Sequence, residues 1–214
     1  GNSDTETLLA AIDQWGLEKT LNKIDGMFAF ALWDEKLKEL SLVRDPLGEK
    51  PLYYGSLRAA FIFGSELKSF KPHPDFQFEL EKKAIALQMC HSYIPAPFSI
   101  YKGIKKLLPG SIHKIKVNDK MEIVKRDLKR FWSFENIVKD GANTPFLGSE
   151  SDAIHSMENL LLKSVAQQMR SDVPVGAFLS GGIDSSLIVA LMQKMTTAPI
   201  KTFSIGFDDK NYNE

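Results

Sequence analysis

Val173-Pro174-Val175-Gly176-Ala177-Phe178-Leu179 runs directly into Ser180-Gly181-Gly182-Ile183-Asp184-Ser185-Ser186. The first seven residues form an apolar run of strand length. The next seven open with a Gly-Gly turn and continue into a helix. A strand, a glycine turn and a helix in that order present several backbone N–H groups at a helix N-terminus, where they and the helix dipole favour an anion such as phosphate. Gly181 and Gly182 permit tight geometry and close approach of phosphate oxygens. Leu179 leads into the turn, and the hydroxyls of Ser180, Ser185 and Ser186 add donors. Asp184 repels bare phosphate, so its expected use is to hold Mg²⁺ against it. Two glycines alone fit a structural turn with a Ser cap; the whole heptad between strand and helix favours phosphate. It is neither G-x-x-x-x-G-K-[ST] nor G-x-G-x-x-G.

Working outward, a helix over residues 183–195 and a strand over 200–207 complete a βαβ unit. A long amphipathic helix precedes it, capped by Ser151-Asp152 and striped by Ile154, Met157, Leu161, Val165 and Met169. Nearer the N-terminus the pattern changes. Ser3 and Glu6 have capping-box spacing, and the helix they open stops near Gly16. Residues 27–33, Met-Phe-Ala-Phe-Ala-Leu-Trp, are apolar on both faces, which predicts a strand covered on both sides. Glu39-Leu40-Ser41-Leu42-Val43 returns, Asp45-Pro46-Leu47-Gly48 is a turn, and Leu52-Tyr53-Tyr54 with Ala60-Phe61-Ile62-Phe63 makes a second hairpin. Residues 71–78 read as a linker by their prolines, 81–90 as a helix, 111–117 as a strand, 125–130 as a solvated basic face and 140–145 as a loop. The expected organisation is an α+β portion over 1–75, a connecting region over 76–149 and the start of a parallel-sheet α/β domain over 150–214.

The 214 residues are 43% hydrophobic and 25% charged, with 27 Lys+Arg against 27 Asp+Glu. That balance is ordinary for a soluble globular protein and argues against a nucleic-acid or anionic-membrane surface. No apolar stretch approaches the roughly 20 residues that span a bilayer. Cys90 is the single cysteine, so no disulfide framework exists and a reducing, cytoplasmic compartment is expected. The chain begins at Gly1 and stops at Asp208-Asp209-Lys210-Asn211-Tyr212-Asn213-Glu214 with no closing helix, so it reads as an internal fragment.

Residues 180–186 resemble the pyrophosphate loop of the ATP pyrophosphatases. With residues 171–179 before them they are similar to the glutamine-hydrolysing asparagine synthetases, as are residues 26–34 (Gly-Met-Phe-Ala-Phe-Ala-Leu-Trp-Asp), 44–54 (Arg-Asp-Pro-Leu-Gly-Glu-Lys-Pro-Leu-Tyr-Tyr) and 64–68 (Gly-Ser-Glu-Leu-Lys). Tyr93-Ile94-Pro95-Ala96-Pro97, residues 103–107 and Pro109-Gly110 also match. The resemblance implies an N-terminal-nucleophile amidotransferase portion with layered antiparallel sheets, followed by an ATP-pyrophosphatase-type synthetase portion. It implies glutamine, aspartate and ATP as substrates, Mg²⁺ as cofactor, a β-aspartyl-AMP intermediate, and ammonia passed between the two portions through a tunnel. A homodimer is left open.

Carried over by position, the resemblance assigns Asp4 to the α-amino group of glutamine. It places Phe178 and Ile205 beside adenine and ribose, and residues 179–186 at the phosphates. A first-turn acid complementing the helix dipole is the competing reading of Asp4, and core packing that of Phe178 and Ile205. The family's nucleophile is an N-terminal cysteine, which this chain lacks, so it contains no catalytic residue of its own; Cys90 is expected to be buried and structural. His73, His91, His113 and His155 have no metal-ligand spacing and are expected at the surface or satisfied in the core. Arg44 and Glu66 are expected to pair structurally rather than line the ammonia path, and the Asp45 turn to be structural. Gln167-Gln168 stands where the family often carries arginines. Related amide-forming ligases of the β-lactam, peptide-tailoring or exopolysaccharide-tailoring kind remain alternatives, as does an inactive nucleotide-binding fragment.

Overall fold

Phe28, Phe30 and Leu32 alternate with Ala29, Ala31 and Trp33, and that period of two places successive side chains on opposite faces of a strand. In the computed structural model, which describes residues 3–58 and 60–206, they belong to the first of two units, residues 1–140 and 141–214.

The first unit opens with α1 (Asp4–Trp15), capped by Ser3, whose hydroxyl accepts from the Thr5 N–H at 3.2 Å. Gly16, at φ 79°, ends α1 and leads into α2 (Leu17–Leu21). The strands are β1 (Ala29–Asp34), β2 (Glu39–Arg44), β3 (Tyr53–Ser56), β4 (Phe61–Gly64), β5 (Ile104–Lys106), β6 (Ser111–Val117) and β7 (Ile123–Arg130). A 3-10 turn (Leu67–Phe70) and α3 (Lys82–His91) lie between β4 and β5. One antiparallel sheet has the order β1-β2-β6-β7 and a second the order β4-β3-β5.

Register decides the layers. Ala31 faces Leu42, which faces His113, while Phe30 faces Val43, which faces Ile112. The Val43–Ile112 side packs on Leu21 with Leu17, Ile24 and Phe28. The Leu42–Ile115 side packs on Leu52, Tyr54 and Leu107, which belong to β3 and to the flanks of β3 and β5. The other side of β3 carries a third cluster, in which Phe70, Phe76 and Ile104 pack with Tyr53, Ile62 and Tyr101. Helix pair, sheet, sheet and a covering segment follow one another, the layered antiparallel arrangement the sequence implied.

Several expectations change in detail. β1 is an edge strand, and Ala31 and Trp33 on its second face are exposed, because the covering layer reaches only as far as Ala29. The proline-bearing stretch 71–78 buries Phe76 in the third cluster. Residues 123–130 form β7, a strand exposed along almost its whole length. α4 (Phe134–Asn143) runs through residues expected to be a loop and crosses the boundary between the units. Cys90 is exposed, not buried. The only buried residue of α3 is Ala84, and six residues further on a helix has turned by about 240° away from that face.

Arg44 does not pair with Glu66, which holds Lys68 at 2.7 Å instead. The Arg44 guanidinium donates to the carbonyls of Lys50 (2.7 Å), Leu107 (2.6 Å) and Gly48. Burial draws its pKa below the ordinary value, against the pull of the Asp45 carboxylate. Asp45 is itself buried and accepts from the N–H groups of Glu49 and Lys50, both at 2.9 Å. A Cβ at Gly48, φ 70°, would stand 2.8 Å from Pro109, so this turn needs glycine. His113 is buried but not satisfied, since its Nδ1 has no hydrogen-bond partner among the described residues, and Tyr54 meets its ring edge-on at 4.6 Å. Its pKa falls to about 4, first through burial and then through Arg126 and Lys105, with Asp127 opposing. A neutral imidazole is the form that site tolerates.

The second unit contains α5 (Glu150–Gln168), β8 (Gly176–Phe178), α6 (Ile183–Lys194) and β9 (Lys201–Phe203). The cap of α5 is Ser149, two residues before the expected one, and Ser149 and Asp152 form a reciprocal capping box. β8 and β9 are parallel with Ala177 opposite Thr202. Val165, Leu191 and Met192 make the core between α5 and α6, and Lys194 pairs with Glu158 at 2.6 Å. Ile154 and Met157 of the expected stripe are exposed. The expectation for residues 208–214 lies outside the described residues. Among the described residues no helix is long and apolar enough to cross a membrane.

Candidate phosphate-binding site

β8 ends at Phe178 and α6 begins at Ile183, so residues 179–182 are the whole connection. Leu179 is tied down by its N–H, which donates to the Phe203 carbonyl at 2.9 Å, and by its carbonyl, which accepts from the Ser204 hydroxyl at 2.6 Å. The turn thus starts from a fixed point at one end of the parallel pair. Ligands of open α/β sheets gather at this end of the strands. Gly181 takes φ 91°, a conformation that L side chains resist, and Gly182 is the N-cap of α6 without a side-chain cap. The first-turn N–H groups of α6 therefore face outward as donors.

The serines hold the turn open. Ser180 Oγ and Ser185 Oγ lie 3.1 Å apart, Ser185 donates to the Gly182 carbonyl at 3.0 Å, and the Gly182 N–H reaches Ser180 Oγ at 3.4 Å. Ser186 continues the helix through its N–H to the Gly182 carbonyl at 3.1 Å. Asp184 stands exposed in the first turn of α6, and among the described residues no hydrogen bond or ion pair engages its carboxylate. A lone hard oxygen donor beside outward-facing N–H groups suits Mg²⁺, which is held by one or two carboxylates plus substrate phosphates. The described residues contain no cluster of three or more His, Cys, Asp or Glu that could hold a metal unaided.

Phe178 and Ile205 are 79% and 76% exposed, so neither is a core residue here. Phe178 stacks edge-on with Phe203 at 6.5 Å, and Ile205 follows Ser204. Residues 178–186 and 203–205 are brought together at one strand end. Ser204 and Phe203 were not singled out from the sequence; a hydroxyl and an aromatic ring in a short strand carry no motif. Asp4 lies in the other unit, exposed at the first turn of α1, where its carboxylate accepts from the Thr5 N–H at 2.7 Å.

The family model for the glutamine amidotransferase domain matches residues 1–132, and that for asparagine synthase matches residues 156–214. The chain thus belongs to the glutamine amidotransferase domain family, and its residues 156–214 match the asparagine synthase model. Asparagine synthetase [glutamine-hydrolyzing] 1 of Bacillus subtilis is 35% identical over 213 residues, covering 100% of this chain and 31% of its own length. A putative asparagine synthetase of Methanocaldococcus jannaschii is 35% identical, covering 99% of this chain and 39% of its own. Amidase chry2 of Gibberella zeae is 30% identical over 91% of this chain. The chain spans about a third of the length of the first of these relatives (31%). A solved allosteric regulatory enzyme of purine biosynthesis covers 94% of this chain and 38% of its own, at TM-score 0.40 and 21% identity.

Proposed function

We propose that this chain is part of an enzyme that makes asparagine from aspartate, ATP and glutamine, with β-aspartyl-AMP as intermediate and AMP and pyrophosphate as products. The observation that carries it is the exposed strand–turn–helix at residues 178–186, set in a region matching asparagine synthase and preceded by one matching an amidotransferase. On this reading the turn N–H groups and the hydroxyls of Ser180, Ser185 and Ser186 hold the departing pyrophosphate. Leu179, Gly181 and Gly182 bring the backbone close to it, and Phe178 and Ile205 border the adenosine. Asp184 is the protein's ligand for Mg²⁺, which when bound neutralises phosphate charge. Asp4 pairs with the ammonium of glutamine, and ammonia released from that glutamine supplies the amide nitrogen.

The test is pyrophosphate release, with glutamine, aspartate and ATP, by the full-length enzyme of which this chain is part. Release that needs both amino acids supports the reading; orthophosphate in place of pyrophosphate overturns it. Asp4→Asn should raise the KM for glutamine and leave the reaction with free ammonia unchanged. Another amide-forming ligase is the second reading, favoured by the relative named as an amidase. Pyrophosphate release that does not respond to aspartate selects it.

A further inference from the structure

Far from the turn in sequence, the first unit has a cavity of about 360 Å³ on the outer side of the β4-β3-β5 sheet. Phe76 and Ile104 form its floor and are buried. Arg58, Asp75, Gln77 and Lys102 stand exposed around it. An apolar floor with a few converging polar groups, at this volume, is the usual make-up of a small-molecule site. The polar groups are also uncommitted: among the described residues no hydrogen bond or ion pair engages the side chains of Arg58, Asp75 or Gln77. Lys102 is shared with Glu79 at 2.8 Å.

The charges narrow the ligand. Arg58 and Lys102 are balanced by Asp75 and Glu79, so the rim is formally neutral while offering both signs separately. A phosphate ester or a dicarboxylate without an amine leaves Asp75 facing negative charge. A zwitterion satisfies both. We propose that this cavity binds a free L-α-amino acid whose side chain ends in an amide or carboxylate. Arg58 takes the α-carboxylate, with its planar fork suited to two-point contact. Asp75 takes the α-ammonium, Gln77 meets the side-chain carbonyl, and the methylene stem rests on Phe76 and Ile104. The location is separate from Asp4, which begins the α1–α2 pair on the opposite side of this unit's two sheets. The proposal requires neither glutamine hydrolysis nor ATP, so it stands or falls apart from the function proposed above.

Hydrogen exchange of the full chain reads the cavity locally. Millimolar L-asparagine, L-aspartate and L-glutamine are the probes. At least one should slow exchange in segments 56–58, 74–77 and 102–104, and Arg58→Ala and Asp75→Asn should each weaken that effect by about tenfold or more. The Asp4→Asn protein should retain it. No protection by any of the three, or protection that survives both substitutions, overturns the proposal. So does equal protection by succinamate, which keeps the carboxylate and amide of asparagine but lacks its ammonium.

Discussion

The two units bury their polar chemistry in opposite ways. In the first, Arg44, Asp45, Ser111 and His113 lie inside, beside the layer of Leu42, Leu52, Leu107 and Ile115 that joins the two sheets. In the second, Val165, Leu191 and Met192 are the buried apolar residues among those described, and the residues of the Ser180–Ser186 turn are exposed apart from half-buried Ser185. Polar groups enclosed in a packed layer set a fold, because an unpaired one costs free energy and a paired one fixes geometry. Polar groups left outside at a strand end remain available to a ligand. The same residue types, Asp45 and Ser111 inside against Asp184 and Ser180 outside, therefore do different work according to what encloses them.

Substitutions separate those roles. The largest effect should come from Arg44→Ala, which strips three backbone carbonyls of their shared donor. A loss of about 3–5 kcal/mol in denaturant unfolding is expected. If stability moves by less than a surface substitution does, the buried clamp is not what holds the β2 turn. Asp184→Ala should do the reverse, lowering pyrophosphate release by about 100-fold while leaving the unfolding midpoint in place.

His113 sharpens the contrast through pH. Its folded pKa, about 4, lies below the ordinary 6.5. Between those values the unfolded chain binds the proton and the folded one does not, so stability falls as pH drops from about 6.5 towards 4, and above that window nothing is lost. The loss by pH 4 should be on the order of 1–3 kcal/mol. His113→Phe should flatten that slope; an unchanged slope in the variant assigns it elsewhere. The smallest effect is Ser149→Ala, which opens the capping box of α5 and should cost about 1 kcal/mol, read as lost helicity or a lower Tm.

The strand–turn–helix of residues 173–195 was legible because glycines, hydroxyls and an apolar run together have few other uses. β6 was legible because the β-branched Ile112, Ile115 and Val117 recur within a seven-residue run that ends at the turn residues Asn118-Asp119. β7 was not: Lys125, Arg126, Asp127, Lys129 and Arg130 carry no apolar period, and the strand exists through its backbone pairing with β6. α4 contains Gly141 and ends at Asn143, both weak helix formers, so local preference pointed to a loop. Arg44 was recognised as structural but given the wrong partner, since no side-chain pattern reveals a guanidinium satisfied by carbonyls as remote as Leu107. At the candidate site the strand–turn–helix geometry was read from the sequence and Ser204 was not, because its contact with Leu179 depends on the parallel pairing of β8 and β9.

The strand order β1-β2-β6-β7 also sets a timetable. β1 and β2 are neighbours in sequence and emerge together from the ribosome, but β6 follows only after β3, β4, α3 and β5 have been made. Until it arrives, the inner edge of β2 is an open row of N–H and C=O groups, with Leu42 and Val43 lacking the strand that later covers them. A nascent chain paused in that interval presents a sticky edge, and chaperone capture or release at that stage governs how much of the protein reaches its finished state.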